Sequence, residues 1–164
     1  TYIFITIANL KRTIEEEIKY LPKVKIVRSP IRIGLMQARM MGAVNTNGPA
    51  LVFMDAHMEV TEGWLEPLLD RIAINKNYSS ISVVETISMD DIGFHTHWDP
   101  KNIPVTGFHW NLIFSWKSPP KSEFVRRKDL NEPIISPTML GAFFVIDKEY
   151  FESLGMYDEG KTSF

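Results

Sequence analysis

Ala50-Leu51-Val52-Phe53-Met54 runs directly into Asp55-Ala56-His57, so an apolar stretch stops at a carboxylate and an imidazole. A short apolar run with a turn just before it, here Asn47-Gly48-Pro49, reads as a buried strand. Helical spacing lies on either side. Upstream, Ile33–Thr46 turns Leu35, Ala38, Met41 and Ala43 or Val44 towards a core. Downstream, Trp64–Asn75 is amphipathic, and Ser80–Thr86 is strand-like again. Working back to the start, the β-rich run through Ile7 predicts another buried strand, and Asn9 is placed to cap a helix over Lys11–Tyr20. Leu10, Ile14, Ile18 and Leu21 form its apolar stripe, Pro22 ends it, and Val24–Val27 is a short strand. Strands alternating with helices predict an α/β fold with a mostly parallel central sheet flanked by helices.

After Ile87 the texture changes. Met89–Pro104 is polar and irregular, and Val105–Trp116 reads as one long strand. Phe108, Trp110, Phe114 and Trp116 recur at a spacing of two and so share a face of that strand. The Pro-rich, charged Lys117–Pro137 reads as a surface loop, Leu140–Ile146 as a strand and Lys148–Leu154 as a short helix stopped by Gly155.

Bulk properties narrow the classes. The 164 residues suit one domain, with 45% hydrophobic and 23% charged residues. A formal charge of −2 offers no footprint for nucleic acid or an anionic membrane. With no cysteine, disulfides, thiol catalysis and Cys-ligated zinc are excluded. No apolar run reaches the length of about 18 residues that spans a bilayer, and no signal-peptide pattern is visible. Asn77-Tyr78-Ser79 is an N-glycosylation sequon, meaningful only in a lumenal or secreted protein. The chain opens inside a strand-like run and stops without a closing element, which reads as a fragment or an abbreviated form.

The residues best suited to chemistry are Asp55 and His57. Ligands of open α/β sheets bind beyond the carboxyl ends of the strands. Residues two apart on an extended chain point the same way, so this carboxylate and imidazole can converge on one divalent cation and neutralise a nucleotide diphosphate. The plainer alternative is a turn-capping Asp55 beside a solvated His57. Arg32 and Arg39, around the start of the second helix, suit contacts to uracil, ribose or phosphate, or are exposed helix charges. Phe108, Trp110 and Trp116 form either a peptide groove or a packed stripe. His95 and His97 are further metal-ligand candidates in a polar loop.

These residues belong to a longer pattern. Pro22 to Arg28, Arg32-Ile33-Gly34-Leu35, Ala38-Arg39 and Gly42-Ala43 resemble the stretch before the metal motif of polypeptide N-acetylgalactosaminyltransferases. Asp55-Ala56-His57 resembles that family's Asp-x-His motif, and Gly63 to Ile72 matches the segment behind it. Gly107 to Leu112, Arg126-Arg127-Lys128, Ser136-Pro137-Thr138-Met139 with Gly141, and Leu154-Gly155 with Tyr157-Asp158 continue the collinear match. The resemblance implies a GT-A fold, incomplete at both ends, with a nucleotide- and metal-binding half over 1–87, an acceptor-side half over 88–164 and no lectin domain. It implies retaining transfer of GalNAc from UDP-GalNAc to Ser or Thr of proteins, with Mn2+, in a Golgi type II membrane protein whose anchor lies outside this chain. By position, Asp55 and His57 would ligate Mn2+, Arg32, Asp55 and Gly141 would contact the donor, and Phe108 and Trp110 would line the acceptor groove.

The sequence departs from the family where its uridine-holding Asp would fall, around Ile5–Asn9, and Leu140-Gly141-Ala142 replaces Ala-Gly-Gly. Those departures favour an alternative, a catalytically inactive member that binds peptide or a partner. Transfer by this segment alone is not expected.

Overall fold

The computed structural model describes residues 2–6, 13–95 and 98–158. Asn9, Leu10 and the start of the first predicted helix lie outside them, as does His97. The order is β1 (Tyr2–Thr6), α1 (Thr13–Ile18), β2 (Val24–Arg28), α2 (Gly34–Val44), β3 (Ala50–Met54), α3 (Glu66–Ile74) and β4 (Ser79–Ser80). There follow β5 (Thr86–Ile87), β6 (Phe94–His95), β7 (Val105–Phe108), β8 (Phe114–Lys117), α4 (Lys121–Arg126), β9 (Phe143–Asp147) and α5 (Lys148–Ser153).

β1 and β2 pair in parallel, from Tyr2 opposite Val24 to Thr6 opposite Arg28. The second sheet is built around β9, which lies between β3 and β4 and runs antiparallel to both. β3 and β4 therefore run the same way, as expected of a βαβ unit, with a late strand inserted between them. The α/β class stands. The expectation of a mostly parallel sheet is corrected on this point, because the chain returns from 105–142 to fill the gap between β3 and β4 from the opposite direction.

All of β9 is buried, and its alternation of two supplies two cores. Phe144 and Ile146 pack with Ala43 of α2, Leu51 and Phe53 of β3 and Phe151 of α5. Phe143 and Val145 pack with Leu68 and Ile72, four apart on α3. Phe53 stacks on Phe144 at 4.8 Å and 24°, and Trp64 meets Phe143 edge-on at 5.6 Å. Asp147 closes the strand and caps α5, its Oδ1 accepting from the Tyr150 amide at 2.9 Å. On α2 the buried residues are Met40 and Ala43, whereas Leu35 and Val44 are exposed. The helix is rotated from the expected stripe so that Arg39 faces inward.

Three predicted segments change. The strand over Ser80–Thr86 shortens to β4, because in this region only Ser79 and Ser80 pair with β9, and β5 pairs instead with β6. The long strand over Val105–Trp116 is a hairpin, with Phe108 opposite Phe114 and Thr106 opposite Trp116. Within the Lys117–Pro137 loop sits α4. No described helix is long and apolar enough to cross a membrane.

Candidate functional site

Asp55 begins the turn that follows β3. Its amide donates to Ala142 O at 3.0 Å, which ties the strand end to the residue after Gly141. Its carboxylate is held from α2: Arg39 Nη2 donates to Oδ1 at 2.9 Å, with 11% of the Arg39 side chain and 28% of the Asp55 side chain exposed. Arg39 Nη1 reaches the Tyr157 hydroxyl at 3.4 Å. Burial pushes the Tyr157 phenol above its ordinary value, and the Arg39 guanidinium works against that rise. Of the two readings of Arg39, the exposed helix charge is corrected: it is a partly buried counter-ion of Asp55. Residues 39 and 55 sit on different elements, so no local spacing announces the pair.

His57 is exposed in the turn after Asp55. The two-residue alternation holds only on extended chain, and residues 56 and 57 have already turned. Arg32 is exposed in the segment between β2 and α2. There Ser29 Oγ donates to Ile31 O at 2.6 Å, and Gly34, at φ +77°, starts α2 in a conformation that favours glycine. At Gly141 an added Cβ would meet nothing within 4 Å. The strand-end region is therefore open beside the Ala142–Asp55 tie.

The β7–β8 hairpin carries the aromatic face. Phe108 and Phe114 pack edge-on at 6.1 Å, Phe114 and Trp116 at 5.7 Å, and Trp116 meets Trp98 at 6.0 Å. Trp110 projects fully into solvent from the turn. Phe108, Phe114 and Trp116 keep a shared face, made by the cross-strand pair of Phe108 and Phe114 and the two-residue alternation along β8, whereas Trp110 leaves it for the turn.

Two buried polar clips hold the segment that leads to Gly141; the Glu123–Arg126 pair is a local i,i+3 spacing, but the reach of Thr106 to residue 138 and of Glu123 to residue 135 has no local signal. Thr106 on β7, fully buried, donates to Thr138 O, and Ser136 Oγ donates to the same carbonyl at 2.7 Å. Glu123 on α4 accepts a forked pair from Arg126 at 3.0 and 2.8 Å and a bond from the Ile135 amide at 2.9 Å. The Arg126 hydrogen bonds, followed by the Ile135 amide, pull the Glu123 carboxyl down to about 2.

His95, the other metal candidate among the described residues, pairs at 3.0 Å with Asp91 in the turn that joins β5 to β6. No group of three or more His, Cys, Asp or Glu gathers as a metal site among the described residues.

Comparison with known proteins gives this geometry a context. The profile of Glycosyl transferase family 2 matches residues 8–151. The chain belongs to that family. Within it, the chain is similar to putative polypeptide N-acetylgalactosaminyltransferase 9 of Drosophila melanogaster, 45% identical over 93% of this chain and 23% of that protein. It is 41% identical to polypeptide N-acetylgalactosaminyltransferase 4 of Mus musculus, over 92% of this chain and 26% of the relative. For transferase 13 of Homo sapiens the figures are 42%, 92% and 27%. The chain thus spans about a quarter of the length of these relatives. A crystal structure of GalNAc-T7 with UDP, GalNAc and Mn2+ superimposes with a TM-score of 0.83 at 27% identity, covering 99% of this chain and 31% of that one. The GT-A fold read from the sequence is the fold of this family member.

A divalent cation suits the donor types at the strand end. A carboxylate and an imidazole are a hard oxygen and a borderline nitrogen ligand, and His57 and the Gly141 surface are open to solvent. Asp55 and His57 would supply only part of a coordination shell, since no group of three or more such ligands gathers among the described residues.

Proposed function

We propose that this chain is the donor-binding part of a polypeptide N-acetylgalactosaminyltransferase, which moves GalNAc from UDP-GalNAc to Ser or Thr of an acceptor polypeptide with retention of configuration. The observation that carries the proposal is a carboxylate fixed at the end of β3, in a fold that superimposes on a protein solved with UDP, GalNAc and Mn2+. Asp55 and His57 hold Mn2+, which when bound supplies Lewis-acid neutralisation of the diphosphate leaving group. Arg32 binds the nucleotide, Asp55 lies beside the donor, and Gly141 leaves room for the sugar. Phe108 and Trp110 line the acceptor side. In this reading residues 1–87 serve the nucleotide and metal, residues 88–164 serve the acceptor, and the whole protein works in the Golgi lumen behind a type II anchor.

One observation favours the second reading, a catalytically inactive, peptide- or partner-binding member. Asp55 is already paired with Arg39, and two ligands leave a cation shared largely with water. Calorimetry of UDP with and without Mn2+ tests the first reading. Binding that needs Mn2+ and falls about tenfold in His57→Ala supports it, on the scale of losing one of a few ligands. UDP binding indifferent to both refutes metal-bridged donor recognition. Transfer to a mucin-like peptide is expected of a longer chain and not of these 164 residues alone.

A further inference from the structure

We propose that Arg39 is a positioning residue that acts as a charge gate on Asp55, making capture of a divalent cation depend on arrival of a diphosphate. The inference rests on the donor-site reading above and adds a regulation of that site.

The Arg39 side chain is largely withdrawn from water, and its guanidinium is committed twice, to Asp55 Oδ1 and to the Tyr157 hydroxyl. Tyr157 is itself wedged, edge-on to Phe53 at 5.8 Å and to Phe151 at 5.6 Å. Phe53 lies on β3 two residues before Asp55, and the Asp55 amide is bound to Ala142 O. Both the carboxylate and its counter-ion are therefore fixed from several sides. The positive charge cannot swing away when a cation approaches.

Two consequences follow from Coulomb's law. A carboxylate already neutralised by a guanidinium attracts a divalent ion less, and the incoming ion meets a fixed positive charge held 2.9 Å from the Asp55 Oδ1 atom. A diphosphate brings enough negative charge to offset both the ion and the guanidinium. Cation and diphosphate then promote each other's binding, by the same factor in either order. A guanidinium placed merely to stiffen the turn predicts the opposite effect of its removal, namely weaker ion binding.

The test measures Mn2+ affinity from the free-ion electron paramagnetic resonance signal, with and without saturating UDP, on the full chain. Arg39→Gln removes the charge and keeps an uncharged, shorter hydrogen-bond donor. It is expected to bind Mn2+ alone about tenfold more tightly, the order for one unit charge acting on a divalent ion across a partly solvated gap. The ratio between affinities with and without UDP should shrink accordingly. Arg39→Lys keeps the charge and should keep that ratio within about twofold, half a decade or less of the constant. Weaker or unchanged Mn2+ binding in a folded Arg39→Gln, with the ratio intact, overturns the inference. So does a chain that folds with neither Gln nor Met at position 39, since Arg39 would then be structural. Absence of any Mn2+-dependent UDP binding by the unaltered chain removes the donor-site reading itself, and this inference with it. Normal cooperation that Arg39→Gln leaves untouched removes this inference alone.

Discussion

Replacing Glu123 by Gln should lower stability at neutral pH and erase part of the chain's sensitivity to acid. The carboxylate takes three hydrogen bonds, two from Arg126 and one from the Ile135 amide, and its side chain is only 9% exposed. Its carboxyl is held at about 2, against an ordinary 4.5. A depressed carboxyl contributes stability that is complete above about pH 4.5 and is lost as pH falls towards about 2. At about 1.36 kcal/mol per tenfold change in proton affinity, that displacement is worth about 3 kcal/mol in full. Arg126 is 38% exposed, and solvent screening of that partner brings the expected value to about 1–2 kcal/mol. For a chain of this size the melting temperature should drop by about 3–6 °C at pH 7. Urea unfolding of the wild type and Glu123→Gln, from neutral pH down to the acid limb, is the assay. The two curves should differ at pH 7 and converge as Glu123 protonates. Curves that stay parallel through the acid range would refute the account, because they would show that the carboxylate's charge has no stabilising partner.

Phe144→Ala removes a fully buried ring that stacks on Phe53, and should cost about 3–5 kcal/mol by denaturant unfolding; a loss under about 1 kcal/mol would mean that the cluster around β9 is not the core. Gly141→Ala should leave stability within about 0.5 kcal/mol, since a Cβ there meets nothing. On the proposed function it should weaken UDP-GalNAc more than UDP, which competition calorimetry distinguishes; equal effects on both ligands would detach Gly141 from the sugar. Trp110→Ala, at a fully exposed turn position, should not move the melting temperature but should weaken binding of an acceptor peptide. An unchanged peptide affinity would assign the acceptor side to other residues.

The elements legible in the sequence were those whose signal is local. β3 has the bounds its apolar run predicts, and α3 and α5 fall within theirs, because the apolar run, the Leu68–Ile72 spacing of α3 and the Gly155 stop after α5 are all local signals. The carboxylate at the end of β3 was legible for the same reason, since a strand that stops at Asp55 must present it at the sheet edge. Ile81-Ser82-Val83-Val84 shows the limit. It is β-branched and reads as strand, yet it joins no ladder, because strand propensity becomes a strand only where a partner edge exists. Likewise the aromatics from Phe108 to Trp116 carry the same alternation in one strand or in two, and only pairing across the turn decided for a hairpin.

What the sequence determined alone was the alternation of helix and strand, the apolar runs of residues 50–54 and 143–147, and the position of Asp55 at a strand end; the expected burial holds throughout β9, whereas β3 buries Leu51 and Phe53 and leaves Val52 and Met54 exposed. Tertiary structure decided that β9 enters antiparallel between β3 and β4, that Thr106 and Glu123 clip the approach to Gly141, and that Arg39 and Tyr157 close on Asp55. The physical reason is one of range. Hydrophobic period and capping act over a few residues and are written in order along the chain. The Arg39–Asp55 ion pair joins groups 16 residues apart and the Arg39–Tyr157 bond groups 118 apart, contacts that exist only once the core has brought their elements together.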